Sequence, residues 1–174
     1  MVFRPVRTAA EGYGQCMAAK RSAGILLYRF EDGEPRLLLV HPGGPYWTRR
    51  DLGAWTIPKG EYEEGESPRA CALREMGEEL GAAAPSLAVE ELVDLGSVRQ
   101  KSGKVVEAWA AEAEFEPAAL SSNTFTMEWP PRSGAEREFP EVDRAEWFDP
   151  DLARRKIIAA QAELIERLLE RLAG

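Results

Sequence analysis

Apolar residues follow two rhythms along this chain. From Ser22 to Phe30 and from Arg36 to His41 they form short, nearly unbroken runs joined by Glu31-Asp32-Gly33-Glu34, a combination that predicts a β-hairpin. Pro42-Gly43-Gly44-Pro45 opens a loop reaching to Gly53, and Trp55-Thr56-Ile57 reads as a short strand. The rhythm then changes. Ser67 is placed to cap a helix, Pro68 occupies its first position, and Gly81 stands where a left-handed C-cap belongs. Further strands are expected over about 89–99, 104–115 and 124–129. Pro130-Pro131-Arg132-Ser133-Gly134 is a turn, and another strand leads to Trp147-Phe148. Asp149-Pro150 begins a terminal helix with Ile158, Ile165, Leu168 and Leu172 on one stripe. Residues 1–20 are polar, contain Gly and Ala, and show no period. They read as an N-terminal extension before a single α/β domain over 21–174, with no repeat and no low-complexity linker.

Composition narrows the class without naming it. The chain has 174 residues, 30% charged and 44% apolar, enough for one packed core and unlike a disordered segment. The longest aliphatic run, Leu37-Leu38-Leu39-Val40, is far too short to span a bilayer, and no apolar stretch follows Arg4 and Arg7 as a secretory signal requires. Cys16 and Cys71 give neither a disulfide framework nor a metal spacing, so a cytoplasmic protein without membrane partners is expected. A net charge of −8 argues against a nucleic-acid partner, which calls for a basic stripe. The acidity is concentrated: between Gly60 and Ala82 stand Glu61, Glu63, Glu64, Glu66, Glu75, Glu78 and Glu79, against only Arg69 and Arg74.

The predicted helix brings that charge to one side. At about 100° per residue, Glu75, Glu78 and Glu79 share an arc of about 100°, and Leu73, Met76, Gly77 and Leu80 are expected opposite them as the core face. Like charges at these spacings cost a few tenths of a kcal/mol each, so stability alone would favour interleaved lysines. A dense set of oxygen donors suits Mg²⁺, which takes a few carboxylates and fills its other positions with water and phosphate oxygens. A solvated acidic face is the alternative reading of the same residues. Cys71 reads as a small packing residue, and His41, after a buried-looking strand and with no catalytic partner in view, as structural.

Spacing separates the two readings. Gly60, five residues, Glu66, seven residues, then Arg74-Glu75-Met76-Gly77-Glu78-Glu79-Leu80-Gly81-Ala82 matches G-x5-E-x7-R-E-U-x-E-E-x-G-U, where U is a small or aliphatic residue. This segment resembles the Nudix box at every position. At a background of roughly 7% per letter, seven fixed letters coincide about once in 10⁸ windows. The resemblance implies an α/β/α sandwich with a mixed β-sheet, a catalytic loop-helix and a C-terminal helix. It also implies a hydrolase that cleaves a diphosphate linkage in a nucleotide-like small molecule, using Mg²⁺, with Mn²⁺ able to substitute. On this resemblance Glu75, Glu78 and Glu79 bind the metal, the Gly60 carbonyl adds a ligand, and Arg74 holds loop and helix together by pairing with carboxylates that include Glu66.

Outside the box, Glu141 precedes Trp147 by six residues and is a candidate further metal ligand or base, with a surface glutamate as the alternative; Glu128 and Asp143 are weaker candidates. Lys59, directly before Gly60, is a candidate phosphate contact. Trp55-Thr56-Ile57-Pro58-Lys59-Gly60 with Glu63, Gly65 and Glu66 resembles a pattern of asymmetric diadenosine tetraphosphate hydrolases and, more loosely, of diphosphoinositol polyphosphate hydrolases. Tyr46, Trp47, Arg49, Arg50 and Trp55 are candidates to stack a base and hold phosphates, with an ordinary exposed loop as the competing reading. Ser97 stands where ADP-ribose hydrolases carry a proline, and Val98-Arg99-Gln100 lack a tyrosine found in some dinucleoside polyphosphate hydrolases. A nucleoside polyphosphate, either a triphosphate or a dinucleoside polyphosphate, is the expected substrate. A nucleotide sugar, ADP-ribose or a diphosphoinositol polyphosphate is the alternative within the enzymes. A nucleotide-sensing module on the same fold is expected to have lost box carboxylates, and a purely structural acidic domain has no use for the Gly60–Glu66–Arg74 spacing. The sequence assigns no oligomeric state.

Overall fold

A computed structural model describes residues 20–174 of the chain. Cys16 and nearly all of the extension expected over 1–20 lie outside the described residues. The hairpin forms as expected: β1 (Arg21–Glu31) and β2 (Glu34–Pro42) pair antiparallel from Tyr28 opposite Leu37 to Glu31 opposite Glu34. Asp32 at φ 52° and Gly33 at φ 82° make the two-residue turn, a positive-φ pair whose twist matches the flanking strands. Beyond Leu37, β2 leaves β1 and runs beside β8 (Val142–Phe148). Residues 55–61 fill the gap. Trp55-Thr56-Ile57 is not the regular strand expected; Thr56 bridges Val40 and Trp55 bridges Ile157 as isolated contacts. Regular pairing resumes in β3 (Lys59–Glu61), antiparallel to the start of β1 with Gly60 opposite Ala23. Pro58 divides the segment because it has no N–H to give a ladder, although its carbonyl still accepts from Ile25 N–H at 3.1 Å.

On the other side of β1 lies β5 (Val105–Glu112), parallel to it, and then β4 (Val93–Arg99), antiparallel to β5. The sheet order is β4-β5-β1-β2-β8, with β3 also on β1, so the sheet is mixed. The strand expected over 89–99 begins only at Val93, after a single 3-10 turn at Val89–Glu91. The strand expected to lead into Trp147-Phe148 is two strands in different sheets. β6 (Thr124–Glu128) and β7 (Glu136–Pro140) pair with each other as a separate hairpin, and Glu141 stands between that hairpin and β8.

Helices cover both faces of the main sheet. Ile25 and Leu27 point to the side of α1 (Pro68–Leu80), where Cys71, Ala72, Met76 and Leu80 meet them. Leu26 points the other way, into a cluster with Ala153 of α2 (Pro150–Lys156) and Leu164, Ile165 and Leu168 of α3 (Ala162–Ala173). Burial on both faces explains why β1 and β2 read as continuous apolar runs rather than alternating ones. The single terminal helix expected from Asp149 is broken. Ile157 is extended at φ −69°, ψ 149°, and Ile158 N–H donates 2.8 Å to the Trp55 carbonyl instead of continuing the helix. Ile157, not Ile158, is therefore the fully buried residue of that segment. Among the described residues no helix is long and apolar enough to cross a membrane.

Candidate active site

The site is built on α1 and the loop before it. Ser67 Oγ accepts from Ala70 N–H at 3.3 Å and Pro68 occupies the first turn, so the helix start is fixed by local chemistry. Its end is fixed at Gly81, whose N–H donates to the Gly77 carbonyl at 2.9 Å; at φ 85°, ψ −161° it is not the left-handed cap expected but another conformation nearly confined to glycine. The buried row is Ala72, Met76 and Leu80, joined by Cys71, while Leu73 and Gly77 are only half-buried. The expected core face is thus rotated. Glu75 and Glu79 each precede a residue of the buried row by one position, so they lie next to the core rather than opposite it. That placement sets their electrostatics. Burial pushes the carboxyl of Glu75 above the usual range, Arg74 opposes the shift, and the charges of Glu78 and Glu141 add to it. Burial likewise pushes Glu79 up, against the opposing charge of Lys59.

Arg74 is the hub of the loop-helix unit. Its Nε and Nη2 donate to Glu66 Oε1 and Oε2 at 2.9 and 3.0 Å, a bidentate fork. Nη1 donates to Glu75 Oε1 at 2.8 Å and Glu78 Oε1 at 3.2 Å, and Nη2 also reaches the Glu61 carbonyl at 3.1 Å. One guanidinium therefore ties the loop (Glu61, Glu66) to the helix (Glu75, Glu78). The hydrogen bonds from Arg74 hold Glu66 down to about 2, and Glu66 in turn raises Arg74 further above its ordinary value.

Gly60 has a steric part in this arrangement that its place in the motif did not reveal. A Cβ added there would lie 1.9 Å from the Glu75 Cδ, so only glycine lets that carboxylate settle against the loop. The Gly60 carbonyl faces the Cys71 thiol at 3.5 Å. Burial pushes the Cys71 thiol up to about 12, consistent with a packing role. Lys59 donates its backbone N–H to Glu79 Oε2 at 3.2 Å. Its ammonium is pushed down by burial, and Glu79 is the largest of the charges opposing that shift.

Glu141 comes to the same edge through the backbone. Asn123 N–H donates to the Glu78 carbonyl at 2.9 Å, and Glu141 N–H donates to the Asn123 carbonyl at 2.8 Å. Burial and the charge of Glu78 both raise the Glu141 carboxyl. The weaker candidates go elsewhere: Glu128 accepts from Gly134 N–H at 2.7 Å, and Asp143 lies 2.7 Å from His41 Nδ1. His41 is fully buried and its Nε2 lies 2.7 Å from the Arg50 carbonyl, so both ring nitrogens are engaged and the ring is closed to a substrate.

Of the aromatic candidates, Trp55 is corrected. It is 0% exposed, its Nε1 donates to Asp51 Oδ1 at 2.9 Å, and it packs in the core against Phe148, so it offers no face to a ligand. Trp47 packs against the same core, with the Arg50 guanidinium 5.4 Å over its ring. Tyr46 is 59% exposed and meets Trp129 edge-on at 5.4 Å. Tyr46, Arg49 and Arg50 line a groove of about 530 Å³ together with Pro45, Thr48 and Trp129. Trp129 is the residue sequence reasoning missed. It ends an expected strand, and nothing local says that the loop after β2 lies across from it.

Among the described residues no three carboxylate, imidazole or thiol groups converge closely enough to hold an ion unaided. The donor set nevertheless fits a hard divalent cation in kind. Glu75, Glu78, Glu79 and Glu141 are all oxygen donors, and burial together with the charges of neighbouring glutamates raises the proton affinity of Glu75, Glu79 and Glu141, a local excess of negative charge that a cation relieves.

Comparison with known proteins agrees with this geometry. The NUDIX domain family matches residues 18–168. An RNA pyrophosphohydrolase of Roseobacter denitrificans is 57% identical over 35 residues, a stretch covering 19% of this chain and only 22% of that relative. A C. elegans Ap4A hydrolase binary complex superposes with a TM-score of 0.58 at 22% identity, covering 90% of this chain and 99% of that one. The NUDIX domain of Shewanella oneidensis NrtR, complexed with ADP ribose, gives a TM-score of 0.59 at 21% identity, covering 89% of each chain. At these identities the two solved structures speak for the fold.

Proposed function

The chain belongs to the Nudix family and is a hydrolase of phosphorus-containing anhydrides, and from that premise we propose that its substrate is a nucleoside polyphosphate, cleaved at a diphosphate linkage with Mg²⁺ as the working ion. The observation that carries this reading is the carboxylate edge of α1 braced by Arg74. Glu75, Glu78, Glu79 and Glu141, with the Gly60 carbonyl, would hold the ion. When bound, Mg²⁺ neutralises the diphosphate and makes water a better nucleophile at neutral pH.

The remaining work falls to the chain itself. Arg74 keeps the loop and helix in register, so that the carboxylates do not swing apart under their mutual repulsion. Glu79 has Oε2 on the Lys59 N–H, which leaves Oε1 to accept a proton. Lys59 sets a cation beside the Glu79 carboxylate, where the phosphates of a substrate would lie. Arg49 and Arg50 offer further charge to a longer phosphate chain. A diphosphate-linked sugar makes less use of these cations, which is why the polyphosphate is preferred over ADP-ribose.

Glu79→Gln tests the reading, since it removes a charge without removing volume. Turnover with Mg²⁺ should fall about 10²-fold or more, while the far-ultraviolet circular dichroism matches the parent. A parent-like rate would reject the role given to Glu79. The substrates to compare are ATP, diadenosine tetraphosphate, 5′-triphosphorylated RNA, ADP-ribose and a nucleotide sugar, with products separated by chromatography. Preference for ADP-ribose or the sugar over every polyphosphate would reject the substrate and leave the family assignment standing.

A further inference from the structure

The groove beside the loop after β2 is not part of the carboxylate edge, but a backbone hydrogen bond ties the start of its loop to that edge. Gly43 N–H donates to the Glu141 carbonyl at 2.9 Å, so the loop leaves from the very residue that closes the glutamate cluster. From there it runs along the β6–β7 hairpin: Gly44 packs against the Phe125 ring, and Tyr46 reaches Trp129 at the far end. The hairpin register puts Thr124 opposite Pro140 and Glu128 opposite Glu136, so Asn123 and Glu141 are at one end and Trp129 at the other, roughly 20 Å away along the strand.

The chemistry of the far end is specific. In a chain of net charge −8, Arg29, Arg36, Arg74, Arg154 and Arg167 each pair with a carboxylate. Among the described residues Arg49 and Arg50 do not, and neither do Arg69, Arg99, Arg132, Arg137, Arg155 and Arg171; what sets Arg49 and Arg50 apart is that both line the groove. Beside them stand two aromatic rings. Trp129 holds Tyr46 edge-on, which fixes the Tyr46 ring as a platform while leaving it 59% exposed. Two guanidinium groups without a carboxylate partner, one of them lying over the Trp47 ring, next to an open aromatic face match a phosphorylated, planar, π-bearing ligand.

We propose that this groove binds the far nucleotide of a two-ended substrate: the base stacks on Tyr46, whose ring Trp129 holds edge-on, and Arg49 and Arg50 hold the phosphate next to it, roughly 20 Å from the glutamates. The inference rests on the polyphosphate reading above and deepens it, because a single ligand that touches both ends must carry a chain of phosphates between the bond that is cut and the base that is stacked. Trp129 is then a specificity-determining residue that no part of the Nudix box supplies.

The test uses binding, not turnover. AMP and adenosine are titrated calorimetrically into the full chain in Mg²⁺-free buffer, and then into Trp129→Ala, Tyr46→Ala and the double variant Arg49→Ala/Arg50→Ala. Loss of base–aromatic stacking should raise the Kd for AMP about fivefold or more in each ring variant. The arginine variant should weaken AMP to a similar degree and leave adenosine unchanged. A smaller change for AMP in a ring variant whose circular dichroism matches the parent overturns the proposal, as does an absence of AMP binding to the parent. Should Trp129→Ala fail to fold, the exposed Tyr46 decides the matter alone. The outcome is separable from the substrate reading. If polyphosphates are hydrolysed while AMP ignores the rings, the groove falls; if AMP needs the rings but no polyphosphate is cut, the substrate falls.

Discussion

Glu66 accepts from both Arg74 donors and from the Glu63 N–H, and Arg74 is the main cause of its carboxyl lying near 2. In the unfolded chain the same group titrates near about 4.3. Because the folded value is the lower one, the pair contributes stability that is fully present above about pH 4 and is lost as pH falls towards about 2. Glu66→Gln should therefore lower the urea midpoint most at pH 7, and its deficit against the parent should shrink steadily below pH 4. An equal deficit at pH 7 and pH 3 would mean that Glu66 acts by packing and not by charge. This pairing was readable from the Nudix box, because Glu66 and Arg74 are fixed letters of it. The crowding of Glu75 against Gly60 was not, since a glycine in a motif shows that space is needed but not which side chain fills it.

At the level of elements, the ends of α1 were legible because capping is local: Ser67, Pro68 and Gly81 act within one turn. Gly81 has a second constraint from further away, for a Cβ there would lie 2.2 Å from the Ser121 carbonyl oxygen. Gly65 has a similar positive φ, 76°, but open space around it. Gly81 adds to its positive φ a ψ of −161°, nearly confined to glycine, and the Ser121 contact, whereas Gly65 has open space. Gly65→Ala should cost about 1 kcal/mol from φ alone, and Gly81→Ala about 2 kcal/mol or more. Equal losses in urea denaturation would remove the Ser121 contact from the account. The terminal helix shows the opposite case. Its apolar stripe reads smoothly through Ile158, but the sheet edge at Trp55 captures the backbone and breaks the helix at Ile157. Periodicity cannot register such a competitor, because the competing hydrogen bond comes from about a hundred residues away.

Across the whole molecule, the helical layer behind the sheet also supports the site in front of it. Gln161 is fully buried, and its Oε1 accepts from Ile57 N–H and Thr56 Oγ, both at 3.0 Å. Ile57 is two residues from Lys59 and three from Gly60, so the C-terminal segment steadies the loop that carries the box. Gln161→Ala would leave the Ile57 N–H buried without an acceptor, a loss of about 1–3 kcal/mol. Amide exchange should accelerate at Ile57 before it does in β5. Unchanged protection at Ile57 would show that the loop holds without Gln161.

The hairpin, the ends of α1, the layered α/β class and the family are legible along the chain, because each follows from short-range chemistry or from letters spaced within a single motif. The sequence also brought Glu75, Glu78 and Glu79 to one arc of a helix, as any helix must. Tertiary structure alone decided how that arc is turned. Packing on Ala72, Met76 and Leu80 draws Glu75 and Glu79 to the edge of the core and raises their proton affinity, where a solvated helix would have left them ordinary acids. It sent Trp55 into the core, and it set Trp129 against Tyr46 across more than eighty residues of chain. Side-chain burial and long-range contact depend on what lies opposite in space, and the order of residues along the chain does not carry that information in any local form.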